Sequence, residues 1–166
     1  MKDLKLGDHF KFGKIEFVKL DNICGGCLCL AADVWFNACF DENNKNNWST
    51  SSLRKELAEV IEDYIDKNAL VPFDRDLTTD DGMTDYGHTI DIISLLTCDE
   101  YRKYRKLIPN CVKWHWTITA DSLEYSYYVR IIISDGSLDD NDTYYGNYGV
   151  RPLCVLKSDT IVEVEE

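Results

Sequence analysis

The last third of the chain carries the pattern that most constrains its fold. An aromatic segment at Trp114-His115-Trp116 is followed by Ser134-Asp135-Gly136 and then by Gly149-Val150-Arg151-Pro152-Leu153. Short apolar segments separated by an Asp-Gly turn are typical of antiparallel strands. We therefore expect an aromatic-rich strand, a second strand that ends in this turn, and a closing strand. A long polar, tyrosine-rich loop is predicted just before the closing strand.

The length and composition predict one domain, residues 1–166. A chain of 166 residues that is 45% hydrophobic can bury a single core, and no Pro/Gly/Ser-rich stretch divides it. Its 30 acidic and 18 basic residues give a formal charge of -12. Direct binding to nucleic acid is therefore not expected, because such binding depends on Lys and Arg that neutralise phosphates.

The location of the protein is predicted from its apolar segments and its cysteines. No apolar stretch is long enough for a signal peptide or a membrane span. We therefore expect a cytoplasmic protein without a membrane partner, and association with a phage particle released by lysis is compatible with this. The seven cysteines cannot all pair within one chain, and most thiols stay reduced in the cytoplasm.

One cysteine cluster, Cys24-Gly-Gly-Cys27-Leu-Cys29, has a spacing that metal sites use. A structural zinc site needs a second pair at similar spacing, and the other cysteines are isolated: Cys39, Cys98, Cys111 and Cys154. We favour a hairpin with a Gly-Gly turn, in which the three cysteines are small apolar strand residues. No metal and no cofactor is predicted, although metal binding by Cys24, Cys27 and Cys29 stays an open alternative.

The remaining pattern predicts strands toward both ends of the chain and two helices between them. Residues 8–20 and 27–35 alternate like strands. A first helix is expected from N-cap candidates at 47–52 to about Lys67, with these apolar residues on one face: Leu53, Leu57, Val60, Ile61, Tyr64 and Ile65. Thr97-Cys98-Asp99-Glu100 has the form of a capping box, so a second helix should begin there and end at Pro109.

An acidic stretch at residues 74–82 is predicted as a long loop after Pro72. Oxygen ligands for calcium could come from Asp74, Asp76, Asp80, Asp81 and Asp85. An EF-hand loop, however, needs acids at alternate positions, a glycine at the sixth position and a glutamate at the twelfth. Because this spacing is absent from the sequence, a solvated turn is the preferred interpretation.

Short motifs distributed over nearly the whole chain resemble one family. The motifs are Asn47-Trp48, Ser52-Leu53-Arg54, Leu77-Thr78-Thr79-Asp80-Asp81-Gly82, Tyr86-Gly87, Ser94-Leu95-Leu96-Thr97, Glu100-Tyr101, Tyr104, Trp114-His115-Trp116, Thr119, Asp135-Gly136 and Gly149-Val150-Arg151-Pro152. In this order they resemble the bacterial and phage family of domains of unknown function numbered six-two-seven-three, which is in turn similar to the C-type-lectin-like fold. The resemblance implies a compact α+β domain with small antiparallel sheets, two flanking helices, and first and last strands that pair. It also implies a long loop region that presents the ligand surface.

A set of residues is predicted to hold the fold rather than to bind a ligand: Trp48, Arg54, Trp114, Trp116, Asp135, Gly136 and Arg151. Trp114 and Trp116 alternate along the predicted strand, so core packing is the favoured role for both, and His115 should face the other way. The family often has two adjacent tryptophans followed by Leu-Arg at this strand, where this chain has Trp-His-Trp. The planar guanidinium of Arg151 is expected to bind loop carbonyls or a buried carboxylate such as Asp135.

The predicted ligand surface is the polar loop at residues 137–148, extended by tyrosines at 125–128. Tyrosine offers a large contact area at a low entropy cost, and small polar residues offer adaptable hydrogen bonds, as in antibody paratopes. The phage variable proteins that share the lectin-like fold contact ligands through a comparable C-terminal region. A solvated loop whose tyrosines cover the core edge is the alternative. The predicted binding residues are Tyr125, Tyr127, Asp139, Asp140, Asp142, Tyr144, Tyr145, Asn147 and Tyr148.

Three functions remain open at this level. The first, which we favour, is a non-catalytic binding module that recognises a protein or a glycan through this loop. A phage origin of the module is compatible with this function. The second is an acidic inhibitor that binds a nucleic-acid-binding protein by mimicking the charge of nucleic acid, with binding that salt weakens. The third, an enzyme of the formylglycine-generating type, would need a reactive cysteine pair, and only Cys111 and Cys154 follow residue 100. No Ser-His-Asp arrangement, phosphate loop or metalloprotease motif is present in the sequence, so catalysis is least favoured.

Overall fold

A computed structural model describes Met1 and residues 3–164. These residues form an α+β fold that is mostly sheet, with two short α-helices. The strands are β1 (His9–Phe12), β2 (Ile15–Ile23), β3 (Gly26–Ala31), β4 (Phe36–Asn37), β5 (Phe73–Asp76), β6 (His88–Asp91), β7 (Ile93–Ser94), β8 (His115–Ala120), β9 (Tyr128–Ile132), β10 (Leu138–Asp142), β11 (Gly149–Val150) and β12 (Leu153–Lys157). The helices are α1 (Ser52–Val60) and α2 (Cys98–Tyr104).

The first sheet forms the centre of the molecule. Its five strands lie in the order β1-β2-β3-β12-β7, and all neighbouring pairs are antiparallel. In β3, Cys27, Cys29 and Ala31 pack in one apolar cluster, whereas Leu28 and Leu30 pack in another. Successive residues of a strand point to opposite faces, so this sheet is buried on both sides and separates two halves of the core.

The hairpin predicted at the cysteine cluster joins β2 to β3, but its turn lies one residue earlier than expected. Ile23 pairs with Gly26, so the loop residues are Cys24 and Gly25 rather than the two glycines. Both have positive φ, 53° at Cys24 and 70° at Gly25, as a type I′ turn requires. Cys24 is exposed in this turn, whereas the other two cysteines of the cluster are buried in β3. The expectation that all three are strand residues is therefore wrong for Cys24.

The N-terminal strands differ from the predicted ones in length and in pairing. A turn at Gly13, with a φ of +62°, divides the strand predicted over 8–20 into β1 and β2. The expected pairing of the first and last strands is wrong, because β12 lies between β3 and β7 and β1 lies at the sheet edge. The C-terminal segment that follows β12 does pair with β1, through one isolated bridge between Lys11 and Glu163.

A second five-stranded sheet carries the tyrosine-rich end of the chain, in the order β10-β9-β8-β11-β4. β9 and β10 form a hairpin with Asp135 and Gly136 in its turn, where Gly136 has a φ of +85°. The N–H and hydroxyl of Ser137 both donate to Asp135 Oδ1, at 2.8 and 2.5 Å. Residues 138–142 were predicted as loop, and they form edge strand β10 because each has a partner in β9.

Both helices begin at side-chain caps. At the start of α1, the hydroxyl of Ser51 accepts a hydrogen bond from the N–H of Arg54 at 3.1 Å. At the start of α2, Thr97 and Glu100 form the predicted capping box. α1 is shorter than predicted, because it ends at Val60 and the chain continues to residue 69 only with two single 3₁₀ turns.

The acidic stretch at 74–82, predicted as a loop, begins as a strand. β5 pairs with β6 in a two-stranded ribbon, in which Phe73 and Arg75 are buried while the aspartates that follow each are exposed. The guanidinium of Arg75 donates to both carboxylate oxygens of Glu100, at 2.6 and 2.7 Å. This ion pair joins the ribbon to α2. Because the pairing partner β6 lies on a later segment of the chain, the local pattern did not predict the strand.

Candidate functional site

The candidate site is an aromatic surface on two loops beside the second sheet and on the residue that precedes β8. One loop, residues 121–127, connects β8 to β9, and the other, residues 143–148, connects β10 to β11. We define the aromatic surface as Trp114, Tyr125, Tyr127, Tyr144, Tyr145 and Tyr148. Five of these side chains are exposed by 37% to 64%, and the last is half-buried. So many exposed rings on adjoining loops exceed the isolated exposed apolar residues that are normal on protein surfaces.

Ring contacts organise five of the six side chains of the aromatic surface into two groups. Tyr148 stacks on Trp114, with centroids 6.0 Å apart and planes 14° apart, and its ring centroid lies 6.0 Å from that of Tyr145. Tyr125 and Tyr127 form the second group, with centroids 6.4 Å apart. Aromatic pairs at these separations attract one another beyond simple area burial. Each group therefore favours a defined arrangement of its rings.

The 143–148 loop is anchored by Thr143, whose side chain is fully buried. Its N–H donates to the carbonyl of Tyr127 at 2.9 Å, and its carbonyl accepts from two successive N–H groups at residues 40–41. Its hydroxyl donates to Asn44 Oδ1 at 2.8 Å. These bonds hold the two loops of the aromatic surface next to each other.

The 121–127 loop is anchored by Asn46, which is 1% exposed. Its Nδ2 donates to the carbonyls of Ser122, Tyr125 and Tyr128, at 2.9, 3.2 and 3.0 Å. Its Oδ1 accepts from the hydroxyl of Tyr86 at 2.7 Å. Sequence reasoning missed this residue and the anchor of the other loop, because both lie in polar stretches where nothing local distinguishes a buried residue from a solvated one.

Trp114 is not a core residue, contrary to the prediction. β8 begins at His115, so Trp114 precedes the strand and does not share a strand face with Trp116. Trp116 is 1% exposed, and its Nε1 donates to the carbonyl of Ala38 at 2.9 Å. Trp114 is 40% exposed and stacks on the tyrosine of the neighbouring loop instead.

One acidic residue of β10 belongs to a paired cluster. Asp140 Oδ2 lies 3.6 Å from Nη1 of Arg130 in β9, and the same guanidinium lies 3.4 Å from Asp80 and 3.8 Å from Asp121. Burial, followed by the charge of Asp140, raises the pKa of Asp121. The charge of Asp140 is therefore partly neutralised within the molecule.

The other two carboxylates of β10 belong to Asp139 and Asp142. Neither forms an ion pair with any residue in Met1 or 3–164. Asp139 Oδ1 accepts the N–H of Asp140 at 2.8 Å, and Asp142 Oδ1 accepts the N–H of Tyr144 at 3.0 Å. Asn147 is exposed on the same loop. These predicted binding residues thus lie in β10 and in the loop that follows it.

Arg151 lies outside this surface, in the core. It is 1% exposed and donates to the carbonyls of Ala31, Pro109 and Ala32, at 2.8, 3.0 and 2.9 Å. The prediction was that Arg151 binds either loop carbonyls or a buried carboxylate, and its partners are backbone carbonyls. Asp135 is exposed in the β9–β10 turn and is not its partner.

Trp48 and Arg54 share one carboxylate. Trp48 Nε1 donates to Asp91 Oδ2 at 2.8 Å, and Arg54 Nε donates to Asp91 Oδ1 at 2.9 Å. Asp91 belongs to β6, and Arg54 belongs to α1. These bonds join the first helix to the two-stranded ribbon. Asp91 is the last residue of β6, so the junction lies at the end of this strand that is away from the connection to β5.

The two cysteines that thiol catalysis would need have separate surroundings. Cys111 Sγ donates to the carbonyl of Ala32 at 3.8 Å, and burial raises its pKa to about 11, so it stays a weakly nucleophilic thiol at neutral pH. Cys154 is fully buried in β12, with its Sγ 3.7 Å from that of Cys29. Within the described part of the chain, no group of three or more His, Cys, Asp or Glu side chains is arranged to hold a metal ion.

Comparison with known proteins gives one match. The family model Domain of unknown function (DUF6273) matches residues 76–158, from the end of β5 past β12. The match includes α2 and the whole aromatic surface, whereas the motifs at 47–54 lie outside it. No curated protein and no solved structure matches the chain. Across Met1 and residues 3–164, no helix is both long enough and apolar enough to cross a membrane.

Proposed function

Since this chain belongs to the family described as Domain of unknown function (DUF6273), a description that assigns no activity, we propose from its surface that it is a non-catalytic binding module. The module recognises a protein or a glycan through the aromatic surface on the 121–127 and 143–148 loops. The un-neutralised carboxylates of Asp139 and Asp142 contribute to the same contact.

The observation that carries the proposal is the exposure of four tyrosines on the two anchored loops, with Trp114 exposed beside them. Leaving apolar rings in water is unfavourable by about 25 cal/mol per Å² relative to covering them. Tyrosine and tryptophan are also enriched among the residues that dominate binding energy at interfaces. Thr143 and Asn46 hold the loops before a partner arrives, so less conformational entropy is lost on binding.

We further propose that this module has a C-type-lectin-like fold and that it acts as the phage variable proteins with that fold do, through a C-terminal ligand region. Its α+β composition, its small sheets and its two short helices support this. The return of β12 into the sheet of the N-terminal strands supports it as well.

The test compares the wild-type protein with Tyr144→Ser/Tyr145→Ser. Both tyrosines are more than half exposed, so the variant should fold, which circular dichroism checks. Ile90→Ser is the control, because it changes an exposed apolar residue of the two-stranded ribbon. Each immobilised protein is exposed to cell extract and to a glycan array. A ligand bound by wild type and control but lost by the tyrosine variant supports the proposal, and equal binding by all three refutes it.

The formal charge of -12 favours the acidic inhibitor as a second candidate. The same experiment separates the two when it includes washes at low and high salt. A nucleic-acid-binding protein that the wild type and both variants retain at low salt and release at high salt would favour the inhibitor, because salt screens exposed charges. A ligand that depends on the tyrosines and survives high salt would favour the binding module.

A further inference from the structure

We infer that the aromatic surface contains a pocket for an arginine side chain of a protein partner. The inference rests on the proposed function and specifies the chemistry of that partner. The pocket has a volume of about 280 Å³ and is lined by Asn44, Asp142, Tyr144, Tyr145 and Gly146; we call it the Asp142 pocket. Small-molecule sites occupy about 300–1,000 Å³. The Asp142 pocket lies at the lower limit of that range and has room for one inserted side chain.

The Asp142 pocket is formed by a tight turn that needs no ligand. The N–H of Tyr145 donates to the carbonyl of Asp142 at 3.2 Å, and the N–H of Tyr144 donates to Asp142 Oδ1 at 3.0 Å. Between them, the hydroxyl of buried Thr143 donates to Asn44 Oδ1 at 2.8 Å. The turn at residues 142–145 forms one wall of the pocket and Asn44 forms the other. The two walls are therefore fixed relative to each other, which lowers the entropy cost of inserting a side chain.

The groups that line the pocket favour a guanidinium. Asp142 Oδ1 serves the turn, while Oδ2 accepts no hydrogen bond from any residue in Met1 or 3–164, and Lys45 next to Asn44 forms no ion pair with it there. The rings of Tyr144 and Tyr145 stand beside it, 64% and 54% exposed. A guanidinium donates hydrogen bonds to a carboxylate, stacks on aromatic faces, and is more weakly hydrated than an ammonium group.

Charge and backbone bonding favour recognition of a basic protein side chain. The chain has a formal charge of -12, which complements a cationic partner better than a neutral glycan. The adjoining edge strand β10 is not set up to pair with a partner strand. The N–H groups of Asp140 and Asp142 already donate to the side chains of Asp139 and Asn141, both at 2.8 Å. The contact is therefore made by side chains rather than by strand addition.

The experiment titrates acetyl-Gly-Arg-Gly-amide into isotope-labelled protein and follows the backbone amide signals of the pocket by NMR. The same peptide with lysine or with citrulline, the neutral isostere of arginine, serves for comparison. The arginine peptide should bind most tightly, and the citrulline peptide should bind at least about fivefold more weakly. Asp142→Asn should weaken arginine binding about fivefold, while its amide oxygen preserves the turn. Asp159→Asn, which removes an exposed carboxylate outside the pocket, should change binding by less than about twofold.

Three results would overturn the inference. The first is equal affinity for the arginine and citrulline peptides, and the second is equal effects of the two aspartate substitutions. The third is a shift of the pocket amides by neutral oligosaccharides with none from the arginine peptide, which would indicate a glycan ligand. The peptides test the pocket without the natural partner. If they fail while Tyr144→Ser/Tyr145→Ser still abolishes partner capture, the binding module stands and only the arginine pocket is rejected.

Discussion

Acidification should destabilise the protein through His115, at the start of β8. The imidazole is 1% exposed, and its Nε2 has no hydrogen-bond partner in Met1 or residues 3–164. Burial, followed by the positive charge of Arg151, lowers the pKa of His115 from 6.5 to about 4. In the unfolded chain the pKa returns to its ordinary value, so the unfolded state takes up a proton at a higher pH than the folded state does.

The sign and the size of this effect follow from proton linkage. The contribution of neutral His115 is fully present above pH 6.5 and is lost as the pH falls toward 4, because protonation favours the unfolded chain in that range. One pKa unit corresponds to about 1.4 kcal/mol, so full titration removes about 3 kcal/mol. Between pH 7 and pH 5 the expected loss in the free energy of unfolding is about 2 kcal/mol.

The assay is urea unfolding of the wild type and His115→Gln at pH 7, 6 and 5, followed by tryptophan fluorescence. Glutamine does not titrate, and the carboxylates contribute equally to both proteins, so the difference between the two reports on His115. From pH 7 to pH 5 the wild type should lose about 2 kcal/mol more than the variant. A difference in unfolding free energy that is the same at all three pH values would refute the reasoning.

Three further predictions concern packing at a glycine, a buried ion pair and the exposure of a cysteine. In Gly26→Ala the new methyl group meets the backbone of β12, so denaturant unfolding should show a loss of about 2 kcal/mol. Gly146→Ala, whose methyl group meets no atom within 4 Å, should cost less than about 0.5 kcal/mol, and equal costs would contradict the packing argument. Glu100→Gln removes the charge partner of buried Arg75 and should cost about 3 kcal/mol in the same assay; a cost below about 1 kcal/mol would show that the ion pair does not hold the ribbon. Cys24 is exposed, so a thiol reagent should modify it first in the folded protein, and equally fast reaction of the core cysteines would show that they are accessible.

Features that depend on neighbouring residues were predictable from the sequence. The capping box joins Thr97 to Glu100, three positions apart, and the Asp135-Gly136 turn is stabilised by Ser137. The hairpin between β2 and β3 was predictable too, although its turn shifted by one residue because Cys24 adopts a positive φ. In each case the residues that form the bonds lie within a few positions of one another, so the local pattern contains the information.

Features that depend on distant partners were not predictable. Residues 138–142 read as a loop, and they are a strand because β9 pairs with them. Arg75 is buried because Glu100 lies 25 positions away in sequence and next to it in space. Trp114 was assigned to the core, and it is exposed because β8 begins only after it. Strand formation reflects packing and pairing more than intrinsic preference, which explains these errors.

The features of the candidate site also fall into those that the local sequence predicts and those that depend on distant partners. By itself the sequence determined the acidic character of the chain, its local turns and caps, and the concentration of tyrosine and small polar residues at 143–148. Only the tertiary structure decided which rings are exposed and what holds them. Thr143 bonds to Asn44 across 99 positions, and Asn46 bonds to Tyr128 across 82. A buried polar group must find a partner, and here that partner lies on a distant segment that only folding brings near.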